Sequence, residues 1–326
     1  MSDTQNASSK VSLRGFHSPS DYHLIANIHN QSALKDPDKA ATAINATMVE
    51  HLVSATGRLR IAESKGQPVG FIFVLKEGTM QLDEFGTLEG RTWLFTGPTC
   101  LPAYDKTAIK PALLNWLIGY AKERSIATLI RFVRDAPSQE NIRRLLEREL
   151  FREEQRYYKM LFEMTEPPPP PGDLPGGLEL VDYRGEEDFE RLWSVLEAAF
   201  AYDSKSKAER YNRSKHIFGS LESPYRPICV EKSSQRPIGT IVTTAKDTHG
   251  VIATFGVIPS FQRKGIGSRL MESALHHLWQ AGVRTIDLAV RTKNPQALGV
   301  YERFGFQAIP KQTTIVLIKD LDNPAS

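Results

Sequence analysis

The sequence predicts an α/β (α+β) protein of two tandem domains, each a mixed β-sheet flanked by helices. Three observations carry that expectation. A proline run divides the chain, the two halves repeat the same motifs in the same order, and strand-like and helix-like hydrophobic periods alternate through each half.

The divider is Glu166–Gly177, "EPPPPPGDLPGG". Five consecutive prolines fit neither a helix interior nor a central strand, so they form a semi-rigid spacer that Gly176 and Gly177 loosen. A chain of 326 residues suits two domains of roughly 150 residues each. The expected boundaries are a flexible tail over 1–10, a first domain over 11–165, a linker over 166–177 and a second domain over 178–322.

The repeat lies in paired motifs. "RLRIAESKGQPVGFIFVL" (58–75) and "PICVEKSSQRPIGTIVTT" (227–244) are both alternating apolar runs around a polar turn, the pattern of a hairpin. "CLPAYDKTAIKPALLNWLI" (100–118) parallels "VIPSFQRKGIGSRLMESAL" (257–275), and "LLERELF" (145–151) parallels "VYERFGF" (300–306). A shared order of this kind points to a duplicated fold.

Element by element, the second half begins with the strand "LELVDYR". An amphipathic helix, "EEDFERLWSVLEAAF", follows, with Phe189, Leu192, Trp193, Leu196 and Phe200 at helical spacing. Next come a basic stretch (205–216), the hairpin and the strand "GVIATFGVI". A glycine-containing turn leads into the helix "RLMESALHHLWQAG". The strand "RTIDLAV", the helix "NPQALGVYERFG" capped by Asn294 or Lys293, and a closing strand "TTIVLIKDL" complete the half.

Composition excludes several function classes. The net charge of +3 is too small for a nucleic-acid or anionic-membrane partner, and no apolar run approaches the ~20 residues of a membrane-spanning helix. Cys100 and Cys229 form no metal-type spacing, and the polar start "MSDTQNASSK" lacks a signal-peptide core, so a reduced, cytoplasmic setting is expected. His276 and His277 are adjacent and point to different helix faces, so no metal site is expected.

The turn at 260–270, "SFQRKGIGSRL", carries the chemistry. A helix start offers unpaired N–H groups and partial positive charge to a phosphate. Gly265 and Gly267 let the backbone approach such an anion, and Arg263 and Lys264 add charge. There is no GxxxxGK[ST], and Leu270 stands where GxGxxG needs its third glycine, so neither the triphosphate loop nor the dinucleotide loop fits.

The order Val257, Pro259, Gln262-Arg263-Lys264-Gly265-Ile266-Gly267 resembles instead the Q/R-x-x-G-x-G/A acyl-CoA pyrophosphate loop of the GNAT superfamily of N-acyltransferases. A second signature of that family resembles Leu288–Phe306: an apolar strand, then Asn294, Ala297, Tyr301 and Gly305–Phe306. The resemblance covers Leu178 to about Leu321 and implies a seven-stranded mixed sheet splayed at its centre. It implies acetyl transfer from acetyl-CoA to a primary amine of a small molecule or peptide by direct attack. The amides of Gln262 through Ser268, Ile266 and Gly267 among them, would cradle the pyrophosphate, and the main chain of Phe255 and Val257 would pair with the pantetheine arm. Asn294 would bond the pantetheine amides or serve as a helix cap, and Tyr301 would be the general acid or else a core aromatic. Asp287, Glu231 and Asp203 are the candidate carboxylates for a base, and none is assigned.

The first half departs from that pattern: Asp105, Ala108 and Lys110 stand at the positions of Gln262, Gly265 and Gly267, and Leu146 at that of Tyr301. It is expected to keep the fold and to have lost acyl-CoA binding. The tandem layout is similar to that of mycothiol synthase-like GNAT proteins. A monomer or homodimer is expected, and the alternative function is a non-catalytic acyl-CoA-binding or scaffold protein.

Overall fold

The computed structural model describes residues 11–17, 19–34, 43–56, 58–77, 80–83, 86–88, 91–201, 207–221 and 224–322. The expected tail 1–10, Asp203 and the start of the basic stretch lie outside these residues. In chain order the elements of the first half are β1 (Val11–Arg14), α1 (Ser20–Ala33), α2 (Ala46–Thr56), β2 (Leu59–Ser64), β3 (Gln67–Glu77), β4 (Met80–Asp83) and β5 (Gly86–Leu88). After them come β6 (Thr92–Cys100), α3 (Ile109–Glu123), β7 (Thr128–Arg134), α4 (Glu140–Arg148) and β8 (Arg152–Glu163). The second half continues with β9 (Leu178–Val181), α5 (Glu186–Phe200), α6 (Lys207–Gly219), β10 (Ile228–Glu231), β11 (Pro237–Lys246) and β12 (His249–Val257). It ends with α7 (Ile266–Gln280), β13 (Thr285–Arg291), α8 (Pro295–Arg303), β14 (Gln307–Ala308) and β15 (Thr314–Asp320). β4 and β5 form a separate two-stranded sheet.

Two compact units result: residues 1–80, 88–155 and 314–326 in one, and 81–87 and 156–313 in the other. The first contains a mixed sheet in the order β1-β2-β3-β6-β7-β15, in which only β6 and β7 run parallel. The second contains β9-β10-β11-β12-β13-β8 with β14 beside β8, and only β12 and β13 run parallel. Both are mixed sheets with helices on both faces, as the sequence predicts.

The two units repeat one another in detail. The parallel registers are Thr92↔Thr128 in the first and His249↔Thr285 in the second, an offset of 157 on both strands (249 − 92, 285 − 128). The helices α3 and α7 are both 15 residues long and start at the same offset (266 − 109). Each parallel pair makes only three registered pairings before the strands diverge. Each sheet is therefore splayed at its centre.

One element differs from the expectation that follows the chain. The closing strand β15 pairs antiparallel with β7 over seven residues, Thr314↔Arg134 to Asp320↔Thr128, and so belongs to the first unit. The seventh strand of the second sheet is supplied from before the proline run, where β8 pairs with β13 from Thr285↔Glu163 to Arg291↔Tyr157. The boundaries 11–165 and 178–322 are continuous in sequence, whereas the compact units exchange their last long strands. The physical reason is burial. Ile315 and Leu317 of β15 enter a core with Leu113, Leu117 and Leu146, while Met160 of β8 enters one with Leu270, Leu288 and Tyr301. Each buried aliphatic side chain contributes about 1.5–3 kcal/mol relative to exposure.

In the second unit α7 and α8 cover one face of the sheet, through Leu270, Met271, Ala274 and Tyr301. The other face is covered by α5 and α6, through Phe189, Leu192, Trp193, Leu196 and Phe218. The Phe189–Leu196 stripe is buried as its spacing predicts.

Candidate functional site

The splay, the start of α7 and the start of α8 meet in one cleft of about 1420 Å³ inside the second unit. Phe255, Gly256 and Val257 of β12 line it, as do Gln262, Arg263, Gly265, Gly267 and Ser268 of the turn. From beyond the splay come Ala289–Arg291 of β13, Lys293, Asn294 and, on α8, Ala297, Tyr301 and Arg303. Lys264 and Ile266 are not in its wall. The ammonium of Lys264 lies 4.7 Å from the centre of the Phe261 ring, and the Ile266 side chain is buried in the core beneath the helix.

The local sequence explains the turn. Pro259 opens one turn of 3-10 helix, and the chain then reverses through Arg263 (φ 59°) and Gly265 (φ 83°). Left-handed backbone at Gly265 carries no Cβ penalty, and an added Cβ there meets nothing within 4 Å. Gly267 is constrained differently, since its φ is not left-handed but a Cβ would sit 3.1 Å from Cζ of Phe255. The first bond of the helix ladder runs from the Arg269 N–H to the Gly265 carbonyl. The amides of Ile266, Gly267 and Ser268 precede it and form the positive end of the helix dipole. The Gln262 side chain donates its Nε2–H to the Val257 carbonyl at 2.9 Å, bracing the turn against the end of β12.

Asn294 is the cap of α8: its Oδ1 accepts from the Ala297 N–H at 3.1 Å, and Pro295 occupies the first helical position. Such a cap stabilises a helix by about 1 kcal/mol and leaves only the Nδ2 end of the side chain as a donor. One face of α8 holds Tyr301 at 8% exposure, its ring edge-on to Phe306 (5.8 Å) and tilted to Phe255 (6.3 Å). Phe255 thus lies beside both Gly267 of the turn and Tyr301, a link that residue spacing alone does not reveal.

The candidate carboxylates lie elsewhere. Asp287 sits where β12 and β13 are still paired and is held by Lys159 (3.1 Å) and His249 (2.8 Å). Glu231 accepts from the Ser234 hydroxyl in the hairpin turn. Among the described residues that line the cleft there is no Asp or Glu, whereas Arg263, Arg291, Lys293 and Arg303 all line it. His276 approaches Gln280 on its own helix, and His277 stacks on Tyr225 with centroids 4.1 Å apart. Burial lowers the His277 pKa below the ordinary histidine value, and Asp182 opposes that shift.

The corresponding place in the first unit is closed. Lys110 forms an ion pair with Asp105 at the start of α3, and Asp105 also accepts from Asn141 at 3.1 Å. Ala108, at the position of Gly265, has φ −70° and makes no left-handed turn. Arg131 donates from Nε to the Gly97 carbonyl at 3.1 Å, bridging β7 to β6 where they diverge. Leu146 is fully buried in place of the tyrosine.

Residues 189–306 match the model of the acetyltransferase (GNAT) family. A mycothiol acetyltransferase of Propionibacterium freudenreichii subsp. shermanii is 28% identical over 48% of this chain and 52% of its own. This chain thus spans about half the length of that relative. A [ribosomal protein bS18]-alanine N-acetyltransferase of Salmonella typhimurium is 27% identical over 36% of this chain and 74% of its own. A tandem GNAT protein from the clavulanic acid biosynthesis pathway has the same fold, with a TM-score of 0.66 over 97% of this chain and 100% of its own at 14% identity. No described helix is long and apolar enough to cross a membrane. Residues 189–306 thus match the acetyltransferase (GNAT) family, and the two units together have the fold of a tandem GNAT protein.

Proposed function

We propose that the second unit is an acyl-CoA-dependent N-acyltransferase that moves acetyl from acetyl-CoA to a primary amine of a small molecule or peptide. The observation that carries this reading is the convergence, in one cleft, of the open splay, the left-handed Gly265 turn and the uncommitted first amides of α7. That donor set fits a diphosphate: main-chain N–H groups at the positive end of a helix, beside Arg263.

Acetyl-CoA, when bound, supplies an acyl group activated as a thioester, whose transfer to an amine releases a free thiol. The amides from Arg263 to Ser268 hold the diphosphate, with Arg263 and Lys264 adding charge at its rim, while the Gln262 N–H is already bonded to the Pro259 carbonyl. The Gln262 side chain works as a brace for that turn rather than as a ligand, because it is bonded to Val257. The main chain of Phe255 and Val257, on the part of β12 that β13 no longer covers, offers strand-like hydrogen bonds to the pantetheine arm. Asn294 donates from Nδ2 while Oδ1 holds the cap. Tyr301 delivers a proton to the departing thiolate: a phenol of pKa ~10 can protonate a thiolate whose conjugate acid is near ~8.5. No carboxylate is needed if the amine enters neutral, and four cationic lining residues favour that form because like charges disfavour an ammonium ion.

That no Asp or Glu is among the described residues lining the cleft also favours a second reading, an acyl-CoA-binding protein without turnover. Calorimetry with acetyl-CoA, combined with a thiol-release assay on a panel of amines, separates the two. Binding with amine-dependent thiol release supports the enzyme, and binding with no release on any amine supports the alternative.

A further inference from the structure

We infer that the Phe255 side chain is the positioning residue of the acid Tyr301, holding its phenol where it protonates the departing thiolate. This role rests on the acyltransferase reading above and adds to it a side chain that acts through another.

Strand alternation sends Phe255 to the face of the sheet that carries α7 and α8. Gly256 faces the other way, since a Cβ there would lie 3.0 Å from Cβ of Ala199 on α5. From β12 the Phe255 ring reaches two elements at once. Its Cζ lies 3.1 Å from the place where Gly267 would carry a Cβ, and its centroid lies 6.3 Å from that of Tyr301, with the planes inclined by 55°. Tyr301 also packs on Phe306 at 5.8 Å and 64°, and Phe306 in turn on Phe162 at 5.2 Å. Phe306 is buried in the core, whereas Phe255 lines the cleft. The tyrosine ring thus rests on one core aromatic and one cleft aromatic, and the cleft one stands against the turn.

That arrangement does two things for a proton donor. A tyrosine turns about only two side-chain bonds, so rings packed on it fix where its O–H points. A misplacement of about 1 Å at a reacting group costs up to ~10²-fold in rate. An apolar ring in the cleft wall also keeps water away from the proton in transfer. The glycine belongs to the same arrangement. A Cβ at 267 would force the Phe255 ring to give by a few tenths of an ångström, so Gly267 serves the acid as well as the diphosphate.

The first unit lacks the whole set. At the offset that aligns the parallel strands, Pro98 stands at the position of Phe255 (255 − 157) and Lys110 at that of Gly267 (267 − 157). Leu146 stands at that of Tyr301. Where there is no acid, no ring is kept to hold it.

The test is a double-mutant cycle in steady-state thiol release, with acetyl-CoA affinity measured by calorimetry. Phe255→Leu keeps an apolar side chain and should lower kcat on the order of 10-fold, with the acetyl-CoA Kd changed less than about 3-fold. In the Tyr301→Phe background the same substitution should cost nothing further, because the hydroxyl it positions is already gone. A side chain that only packs would cost as much without the hydroxyl as with it. Gly267→Ala leaves Phe255 in the chain and shifts its ring, so it reads the same coupling should Phe255→Leu fail to fold: kcat is expected to fall in wild type and not in Tyr301→Phe. An equal loss in both backgrounds, or wild-type kcat in Phe255→Leu, would overturn the inference and leave the acyltransferase intact. Wild-type kcat in Tyr301→Phe alone removes the acid and this role with it. No amine-dependent thiol release from the unaltered protein removes the acyltransferase reading itself.

Discussion

The Nε–H of Arg131 lies 3.1 Å from the carbonyl oxygen of Gly97 and ties β7 to β6 where those strands diverge, whereas the corresponding divergence of β13 from β12 lines the cleft of the second unit. The residue at the same offset in the second unit is Leu288, an aliphatic core side chain that makes no such bridge. Together with the Lys110–Asp105 ion pair, this bond occupies in the first unit both features to which the proposed function assigns cofactor binding in the second. The chain should therefore bind one equivalent of acetyl-CoA. Titration calorimetry giving two equivalents would contradict that stoichiometry.

Gly267→Glu should weaken acetyl-CoA binding at least ~100-fold, since a carboxylate beside the diphosphate amides costs several kcal/mol. Gly267→Ala is the control for crowding, because its Cβ already meets the Phe255 ring at 3.1 Å. If both substitutions weaken binding equally, the effect is steric and the anion site loses its support.

Tyr301→Phe retains the ring contacts with Phe255 and Phe306 and removes only the hydroxyl. Turnover should fall by ~10²-fold or more, the usual worth of general-acid catalysis, with cofactor affinity nearly unchanged. Wild-type turnover in this variant would leave Tyr301 a packing residue.

His277 gives a prediction about stability and pH. Its folded pKa is lowered, chiefly by burial, so the folded state prefers the neutral ring stacked on Tyr225. The contribution is complete above the unfolded value near ~6.5 and is lost as pH falls below it. The ring is partly exposed, so the slope should be shallow. Urea unfolding of wild type and His277→Phe at pH 7.5 and 5.5 should show a smaller loss in the variant. An identical loss would mean that His277 titrates normally.

Much of this architecture is legible in the sequence, for local reasons. Helix α5 spans the run "EEDFERLWSVLEAAF" because its apolar residues recur at helical spacing, and α8 starts after Asn294 because an Asn-Pro pair both caps and initiates a helix. The Gly265 turn is legible because few residues other than glycine adopt its backbone readily. The partner of β15 is not legible in the same way. The continuous apolar run in "TTIVLIKDL" marks a strand buried on both faces, but it does not name the strand it will pair with, and the choice of β7 is made by burial beside Leu113 and Leu146. The double role of Phe255, against Gly267 and Tyr301, likewise depends on three elements meeting in space.

The most direct test of the central claim is hydrogen exchange of the backbone amides, read by mass spectrometry with and without acetyl-CoA. The account predicts slowed exchange at 255–268 and 289–301 and no change at 97–134. Slowed exchange over 97–134 with none at 262–268 would contradict it.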